Sequence, residues 1–394
     1  MRMLRTKTKY PSRTFYVQKN RYACYSLRSA DSGFVDVVAL GNICLDVIVP
    51  VDTFPQESEK EDLLRSLTLS PPSQDAWEVG GNCNFMIAAA RLGLSVGSIG
   101  VVGDDVYGEF LNSVLQAEHI ALNQGVAPDM DGRANKTLIC FVLVDPNSNH
   151  AFCSRYDFGP WPLLEGITSI PEHSLERLRR AKAVFTNGFV FDEIPLDIVQ
   201  TACKEAIQSG AAVFFDPGPR CFTMLEGSRK EALSTLLDLS DVILMTEEEA
   251  KIVTGHSDPE LAAKYMLERP GARTQWCVIK LGREGSLLRS KAEGRSYRMP
   301  GIPVKVQDTV GCGDSFASAI VLGFINGHSI PATLALANAV GAATATGRGA
   351  GRNVANSSKV KELLSSFTGQ GPHNDALAHL VASIHKPQIQ RSVN

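Results

Sequence analysis

The sequence predicts an α/β fold in which a doubly wound, mostly parallel sheet carries helices on both faces. From residue 34 onward, short runs rich in β-branched residues alternate with segments of helical periodicity. Strands that alternate with helices form parallel sheets covered on both faces. The chain has 394 residues, of which 44% are hydrophobic, and this supplies enough apolar material for one large core.

The elements of the main sheet follow one another along the chain. The first strand is expected at 34–40, before the turn formed by Gly41 and Asn42. An alanine-rich helix at 84–92 ends at a glycine and leads into a strand at 96–101. Further strands are expected at 183–186, 213–216, 242–245 and 277–281, and the helices between them include 195–209 and 247–254.

A small antiparallel flap, or lid, is expected beside the main sheet. Strands at 45–51, 137–144 and 151–154 have no long helices between them, and they lie near the polar stretch 56–74. We therefore expect the lid strands to come from about 45–75 and 134–156.

Residues 315–347 contain no Asp, Glu, Lys or Arg, which raises the question of a membrane span. Asn326, His328 and Pro331 interrupt the stretch, so two buried helices are the better interpretation. No membrane partner is expected.

The charges divide the chain into a basic leader and an acidic body. Residues 1–33 hold eight Lys or Arg and one acid, a net charge of +7, whereas the rest holds 31 bases and 41 acids, a net charge of −10. The leader has no apolar run, and its basic, hydroxyl-rich composition is typical of an organellar transit peptide for a plastid or mitochondrion. The alternative is a disordered basic tail on a cytoplasmic protein. The acidic body argues against a nucleic-acid partner.

This division predicts three regions: the leader 1–33, a single domain over 34–368, and a polar tail over 369–394 with a short helix at 375–384. The nine cysteines form no Cys-x-x-Cys pair, so neither a disulfide framework nor a zinc site is indicated. A reducing compartment follows.

The segment Asp308–Phe316 carries the strongest chemical signal. Gly311, Cys312 and Gly313 stand directly before a predicted helix at 317–324, where backbone N–H groups and the helix dipole bind anions. Asp314 is then placed to accept a hydroxyl proton, which makes it a candidate general base. Taken alone, the segment also fits an ordinary glycine turn in which Asp314 caps the helix.

The segment reads Asp-Thr-Val-Gly-Cys-Gly-Asp-Ser-Phe and closely resembles the second signature of the ribokinase-like (pfkB) sugar and nucleoside kinases. That signature is Asp-Thr-x-Gly-Ala-Gly-Asp-x-Phe, so only Cys312 departs from it. Further segments match in family order from about residue 34 to 352. The resemblance implies the ribokinase-like fold, ATP and Mg²⁺ as cofactors, a phosphoryl group held by residues 311–313, and Asp314 as the base.

Three further segments resemble the family's sugar side. The segment 38–46 is similar to the family's opening strand, whose Asp binds sugar hydroxyls, and Asp46 stands at that position. Residues 80–84 resemble the first signature, with one residue fewer than usual between its glycine pair and its Asn; Asn82 equally fits a buried helix N-terminus. Residues 100–108 match a third stretch, in which Asp105 is structural. By this resemblance, the residues expected to bind the acceptor are Asp46, Gly80, Gly81, Asn84, Gly103 and Asp104.

Other segments resemble the nucleotide side. Residues 246–255 match the family's Asn-x-x-Glu segment, with Thr246 for the Asn and Glu249 as the Glu that organises Mg²⁺ through water. Three successive glutamates also fit a solvated first helical turn. Asn338 lies on an alanine-rich helix, where an Asn is often a packing residue. The glycine loop 347–351 is a candidate to close the nucleotide site or a site for a monovalent cation such as K⁺. The nucleotide-side assignments are Thr246, Glu249, Lys280, Gly282, Gly285 and Asn338.

These observations predict an ATP-dependent kinase acting on a hydroxyl of a sugar or sugar-like substrate, as a monomer or a lid-mediated homodimer. One alternative is a catalytically weak kinase-fold protein with a regulatory or binding role in an organelle, which Thr246 and the shortened first signature favour. Another is a nucleoside kinase.

The chain lacks the P-loop motif, and no dinucleotide-binding Gly-x-Gly-x-x-Gly follows the first strand. Residues 93–97 spell Gly-x-Ser-x-Gly, but between a helix and a strand, the reverse of a hydrolase elbow.

Overall fold

The computed structural model describes residues 35–124, 136–146, 149–164 and 167–367. The leader 1–33 and the tail 369–394, with the helix expected at 375–384, lie outside the described residues. No helix within the described ranges is long and apolar enough to cross a membrane.

The strands of the described chain form two sheets. They are β1 Val37–Leu40, β2 Ile43–Pro50, β3 Trp77–Gly81, β4 Val96–Gly100, β5 Ala121–Gln124, β6 Leu138–Val144, β7 His150–Ser154, β8 Ala183–Asn187, β9 Ala212–Asp216, β10 Val242–Thr246, β11 Trp276–Lys280, β12 Ser286–Ser290 and β13 Arg295–Met299.

The α-helices lie mostly between these strands. They are α1 Lys60–Leu69, α2 Asn82–Arg91, α3 Val106–Ala117, α4 Glu172–Arg180, α5 Val190–Glu193, α6 Leu196–Gln208, α7 Gly227–Leu239, α8 Glu247–Thr254, α9 Pro259–Glu268, α10 Cys312–Ile325, α11 Ile330–Ala345 and α12 Ser357–Phe367.

The main sheet has nine strands in the order β13-β12-β11-β10-β9-β8-β1-β4-β5. All neighbours from β11 to β5 pair in parallel, and only β12 and β13 pair antiparallel. The central strands are nearly continuous apolar runs because both faces are covered. The predicted doubly wound, mostly parallel sheet is confirmed.

Alternate residues of one strand enter two separate cores. On β10, Val242 and Leu244 pack with α2, α10 and α11, whereas Ile243 and Met245 pack with the helices on the other face. Helices α10 and α11 are buried over most of their length, so the charge-free stretch forms two buried helices, as predicted.

The lid is a four-stranded sheet in the order β3-β2-β6-β7. Its strands differ from the expected ones in two respects. The pair β2–β6 is parallel, so the lid is mixed rather than antiparallel. The expected range 45–75 also stops before β3, and the polar stretch contains α1, which was not among the expected elements. The two glycines that end β3 lower its strand propensity, which hid it from the sequence analysis.

The carboxyl ends of β1, β8, β9, β10 and β11 meet at one edge of the main sheet. Because these strands are parallel and adjacent, the loops that follow them converge there, which is where α/β sheets bind ligands. The side chains that end these strands include Asn187, Asp216, Thr246 and Lys280.

Candidate active site

The N-terminus of α10 has the geometry of an anion site. Gly311 is its N-cap residue and has a φ of +77°, a left-handed conformation that favours glycine. The first N–H groups of a helix have no partner within it. The N–H of Cys312 donates to the Thr309 carbonyl at 3.2 Å, so this amide must exchange its partner before it binds an anion. Gly313 and Asp314 follow as the next two donors of the first turn.

Asp314 lies beside this helix end and is held by Asn84. Asn84 Nδ2 donates to Asp314 Oδ2 at 3.2 Å, so the structure brings two predicted residues together from 230 positions apart. Burial and the nearby Asp216 raise the pKa of Asp314 to about 6, although the Asn84 hydrogen bond and Lys280 oppose the rise. Asp314 is therefore deprotonated at neutral pH, yet more basic than an ordinary aspartate.

Asp46, on the lid strand β2, supplies a second carboxylate on the predicted acceptor side. A Cβ added to Gly80 would lie 2.0 Å from Asp46 Oδ1, so this glycine allows the carboxylate to pack against the backbone. Burial raises the pKa of Asp46 to about 7; Asp314 and Glu78 add to the rise, while a hydrogen bond from Cys44 opposes it. Asp46 and Asp314 are therefore close enough for the charge of one to affect the pKa of the other.

A small apolar cluster lies next to Asp46. Cys44, Cys140 and Tyr156 are buried together, with partly buried neighbours on the lid and the following segment. Cys44 Sγ lies 3.6 Å from Asp46 Oδ1, and Cys140 stands opposite Asp46 in the β2–β6 register. Asp46 is therefore flanked by two buried cysteines.

A buried polar network underlies the acceptor side, and the sequence analysis missed most of it. Asn187 Nδ2 donates to Asn82 Oδ1 at 2.8 Å, and the Asn42 side chain donates to Asn187 at 3.2 Å. Glu193 accepts from the Asn42 backbone at 2.6 Å and from the Tyr156 hydroxyl. The side chain of Asn82 thus forms hydrogen bonds within the protein, as expected for a residue at a buried helix N-terminus. These partners lie 37 or more positions apart, and no local motif marks them.

The third acceptor segment is built around Asp105. Its side chain caps α3 through Gly108 at 2.8 Å and accepts from Thr137, in agreement with the structural role expected for it. Gly103 donates to Thr137 Oγ1 at 3.1 Å, which ties this loop to the lid. Asp104 is exposed, so its contact with a sugar stays a prediction.

Lys280 brings a positive charge to the anion site. Its Nζ donates to Asp216 Oδ2 at 2.5 Å and would lie 3.4 Å from a Cβ built on Gly313. Burial lowers the pKa of Lys280, but Asp216 and Glu249 outweigh this effect and leave the pKa raised. The ammonium group therefore stays charged next to the helix end. The sequence predicts a nucleotide-side role for Lys280, whereas no motif assigns a role to Asp216.

Thr246 and Glu249 form a reciprocal cap on α8. Glu249 Oε2 accepts from the Thr246 backbone at 2.7 Å, and Thr246 Oγ1 accepts from the Glu249 backbone at 3.2 Å. Burial raises the pKa of Glu249, and Lys280 opposes the rise. Across the part of the chain that the structure describes, no group of three or more His, Cys, Asp or Glu could hold a metal alone. Glu249 and Asp216 fit an Mg²⁺ that keeps its waters and is shared with phosphates.

The predicted adenosine side is assembled around the turn after β13. Gly285 has a φ of +101°, and a Cβ on it would lie 2.1 Å from the Met299 carbonyl. Asn338 donates from Nδ2 to the carbonyls of Met299 and Pro300, at 3.2 and 3.0 Å. Asn338 therefore packs α11 against this turn, and its contact with adenine stays a prediction. Gly282 has open space around its Cα.

The comparisons with known proteins agree with this geometry. The family model for pfkB family carbohydrate kinases matches residues 36–356. The chain is 28% identical over 315 residues to a 5-dehydro-2-deoxygluconokinase of Halalkalibacterium halodurans, which covers 78% of this chain and 87% of the relative. It is 29% identical over 298 residues to the probable fructokinase-7 of Arabidopsis thaliana, with 73% of this chain and 83% of the relative covered.

Solved structures share the fold. A putative ribokinase II of E. coli in complex with ATP and Mg²⁺ superposes with a TM-score of 0.67 at 21% identity, covering 84% of this chain and 99% of that one. Arabidopsis thaliana ribokinase complexed with ribose and ATP gives a TM-score of 0.62 at 20% identity, covering 84% and 98%.

Proposed function

The chain belongs to the pfkB family of carbohydrate kinases, and from this premise we propose that it transfers the γ-phosphoryl group of ATP to a hydroxyl of a neutral sugar or sugar-like acceptor. The observation that carries the proposal is the position of Asp314. This basic carboxylate is held by Asn84 at the N-terminus of α10, with the Lys280 ammonium beside the same helix end. A base, anion donors and a cation are the parts that phosphoryl transfer requires.

Asp314 takes the proton of the acceptor hydroxyl as the reaction proceeds. The acceptor oxygen forms a bond to the γ-phosphorus, and the bond from that phosphorus to the β,γ-bridging oxygen breaks, which releases ADP. The first-turn amides of α10 and the ammonium of Lys280 stabilise the charge on the transferring phosphoryl oxygens. The protonated Asp314 then returns its proton to solvent.

Mg²⁺ bound with the nucleotide would neutralise the β- and γ-phosphate oxygens. Asp216 and Glu249 would hold its waters, since both are buried carboxylates in electrostatic contact with Lys280. The E. coli putative ribokinase II was solved with ATP and Mg²⁺, which supports this cofactor pair. A K⁺-type monovalent cation stays a prediction.

The charges of the acceptor side favour a neutral substrate. Asp46 and Asp314 make the local potential more negative, and Asp314 is one of the groups that raise the pKa of Asp46. Two nearby arginines are already held by carboxylates: Arg352 by Glu78 at 3.0 Å, and Arg220 by Asp192 at 2.8 Å. An acid sugar such as 5-dehydro-2-deoxygluconate would meet this negative field, whereas a neutral sugar would not.

A screen of ATP consumption tests the proposal. The full chain is assayed with Mg²⁺ and a panel of fructose, ribose, 5-dehydro-2-deoxygluconate and adenosine. We expect turnover with a neutral sugar, and a kcat/KM for the acid sugar lower by about tenfold or more, since tenfold equals roughly 1.4 kcal/mol of repulsion. A preference for the acid would contradict the neutral-acceptor assignment. ATP binding without turnover on a broad panel would favour the regulatory alternative. A preference for adenosine would favour the nucleoside-kinase alternative.

A further inference from the structure

One ion pair joins the lid to the loop that packs beneath the anion site. Glu78 lies on lid strand β3 and is 7% exposed, and Arg352 lies on the short 3-10 turn after the glycine loop. Arg352 Nε donates to both oxygens of Glu78 at 3.0 Å, and the Arg352 backbone N–H donates to Glu78 Oε1 at 3.1 Å. The contact therefore fixes both the side chain and the backbone of this turn.

Further contacts of Arg352 and its neighbour strengthen this attachment. Arg352 Nη2 donates to the Trp77 carbonyl at 3.3 Å, and its guanidinium lies 5.5 Å from the Phe110 ring centroid. Gly351 has a φ of +63°, and a Cβ on it would lie 2.4 Å from Glu78 Oε1. The turn thus packs against the buried carboxylate, which is possible only with a glycine at this position.

The same turn contacts the residues that hold the base and the anion site. The Gly351 N–H donates to Asn84 Oδ1 at 2.8 Å, and the other end of the Asn84 amide donates to Asp314. A Cβ on Gly311 would lie 3.1 Å from Val354 and 3.5 Å from Ala350. An unbroken set of contacts therefore runs from the lid strand through this turn to the base and to the N-cap of α10.

We propose that Glu78 and Arg352 are positioning residues that couple the lid to the catalytic end of α10. Because the pair holds the turn 350–354, it sets the orientation of the Asn84 amide and, through it, of Asp314. The pair is connected to Asp314 through Gly351 and Asn84. This inference rests on the proposed function, because its kinetic consequence presupposes that Asp314 is the base.

The burial of Glu78 explains why loss of the ion pair would displace Asp314. Glu78 is buried, so removal of Arg352 leaves a carboxylate whose only remaining partners in this set are backbone N–H groups. An uncompensated buried charge draws in water or moves toward solvent, and either response shifts β3 and the turn. Displacement of a reacting group by about 1 Å can cost roughly 100-fold in rate.

Kinetics of four variants test the coupling: Arg352→Met, Glu78→Gln, the double variant, and Arg352→Lys. We expect Arg352→Met to lower kcat by about 10- to 100-fold with little change in the KM for ATP. Arg352→Lys should recover part of the loss, and the double variant should be no worse than the worse single variant, because the two residues act as a unit. The control is Lys359→Met, which removes an exposed ion pair with Glu362 on the next helix.

Hydrogen–deuterium exchange separates this inference from the proposed function. In Arg352→Met, exchange of peptides covering 309–315 should rise together with those covering 77–84, even if no acceptor is phosphorylated. If the wild type is inactive and this joint rise occurs, the coupling stands and the proposed function fails. If exchange at 309–315 does not change, or if an active wild type and Arg352→Met share the same kcat, the coupling is refuted. Should Arg352→Met not fold, the near-isosteric Glu78→Gln decides by the same two criteria.

Discussion

Asp314 owes its basicity to the balance among its neighbours. Burial, Asp216 and Glu249 destabilise the carboxylate, while Asn84 and Lys280 stabilise it, and the resulting pKa is about 6. An ordinary aspartate titrates about two units lower and would be a weaker base. The surroundings make the ionised form of Asp314 less stable and so increase its affinity for a proton, which is common among catalytic acids and bases.

The pH dependence of kcat/KM should report this balance. Asp314 acts deprotonated, so activity should fall as the pH drops through its pKa, near pH 6. Asn84 lowers this pKa, so Asn84→Leu should move the acid limb to higher pH. Asn326→Leu, at the exposed far end of α10, is the matched control and should leave the limb in place. A limb that stays at the same pH in Asn84→Leu would show that Asn84 does not tune the base.

Gly80→Ala should weaken binding of the acceptor while leaving ATP binding unchanged. The new Cβ would lie 2.0 Å from Asp46 Oδ1, so the carboxylate must move. Overpacking of this kind costs about 1–3 kcal/mol, which predicts a rise in acceptor KM of roughly 5- to 150-fold. Gly341→Ala is the control, because its nearest contact would be an ordinary 3.6 Å. Equal acceptor KM in both variants would remove Asp46 from the acceptor site.

Single residues of the site were predictable where a motif marks them. Asp314, the 311–313 segment, Asp46 and Asn84 were found because each stands in a recognisable local pattern. Asn187 and Glu193 carry no such pattern, since their partners come from distant strands. The Glu78–Arg352 pair spans 274 positions, and only the fold could reveal it.

The N-terminal cap of helix α8 also positions a residue of the candidate site. The Thr246–Glu249 cap both starts the helix and fixes the Glu249 side chain near Lys280. Thr246 departs from the family's Asn, yet its hydroxyl accepts the same type of N-cap hydrogen bond. The substitution that favoured a regulatory protein is therefore compatible with a working site.

Thr246→Ala should cost stability and loosen Glu249. Loss of an N-cap hydroxyl destabilises by about 0.5–2 kcal/mol, so the melting temperature should fall. Thr246→Ser keeps the hydroxyl and should retain wild-type behaviour. We also expect a higher KM for MgATP in Thr246→Ala alone, measured with acceptor at saturation. If the Ala and Ser variants share one KM for MgATP, Glu249 has no role at the metal.

The elements of the main sheet were easier to predict than those of the lid. Buried strands such as β9 and β10 are continuous apolar runs, and hydrophobic burial determines their position. Strand β3 and helix α1 are short and largely polar or glycine-rich, so their structure depends on tertiary contacts. The parallel pairing of β2 with β6 is likewise a property of the assembled lid.

At the scale of the whole molecule, an acidic protein has to bind a polyanion. The body after residue 33 has a net charge of −10, so overall charge repels ATP. Under the proposed function the attraction is local, from the N-terminus of α10, from Lys280 and from the Mg²⁺ that would accompany the nucleotide. The basic leader lies outside the matched family region, which starts at residue 36.

We propose that the leader serves import into an organelle and takes no part in catalysis. A chain shortened to residues 34–394 should therefore keep the kcat, the KM values and the melting temperature of the full chain. Residues 1–33 fused to a fluorescent protein should direct it to plastids or mitochondria. Diffuse cytoplasmic fluorescence would contradict the import function, and a shortened chain with altered kcat would contradict the leader's separation from catalysis.

A comparison of Asp314→Asn with the wild type tests whether Asp314 is the general base. The acceptor found in the screen is used at saturation, kcat is measured, and MgATP binding is measured by calorimetry. We expect a fall in kcat of about 10²- to 10⁴-fold, because the amide cannot take the hydroxyl proton, with nearly unchanged affinity for MgATP. A kcat equal to that of the wild type would contradict the assignment of Asp314 as the general base.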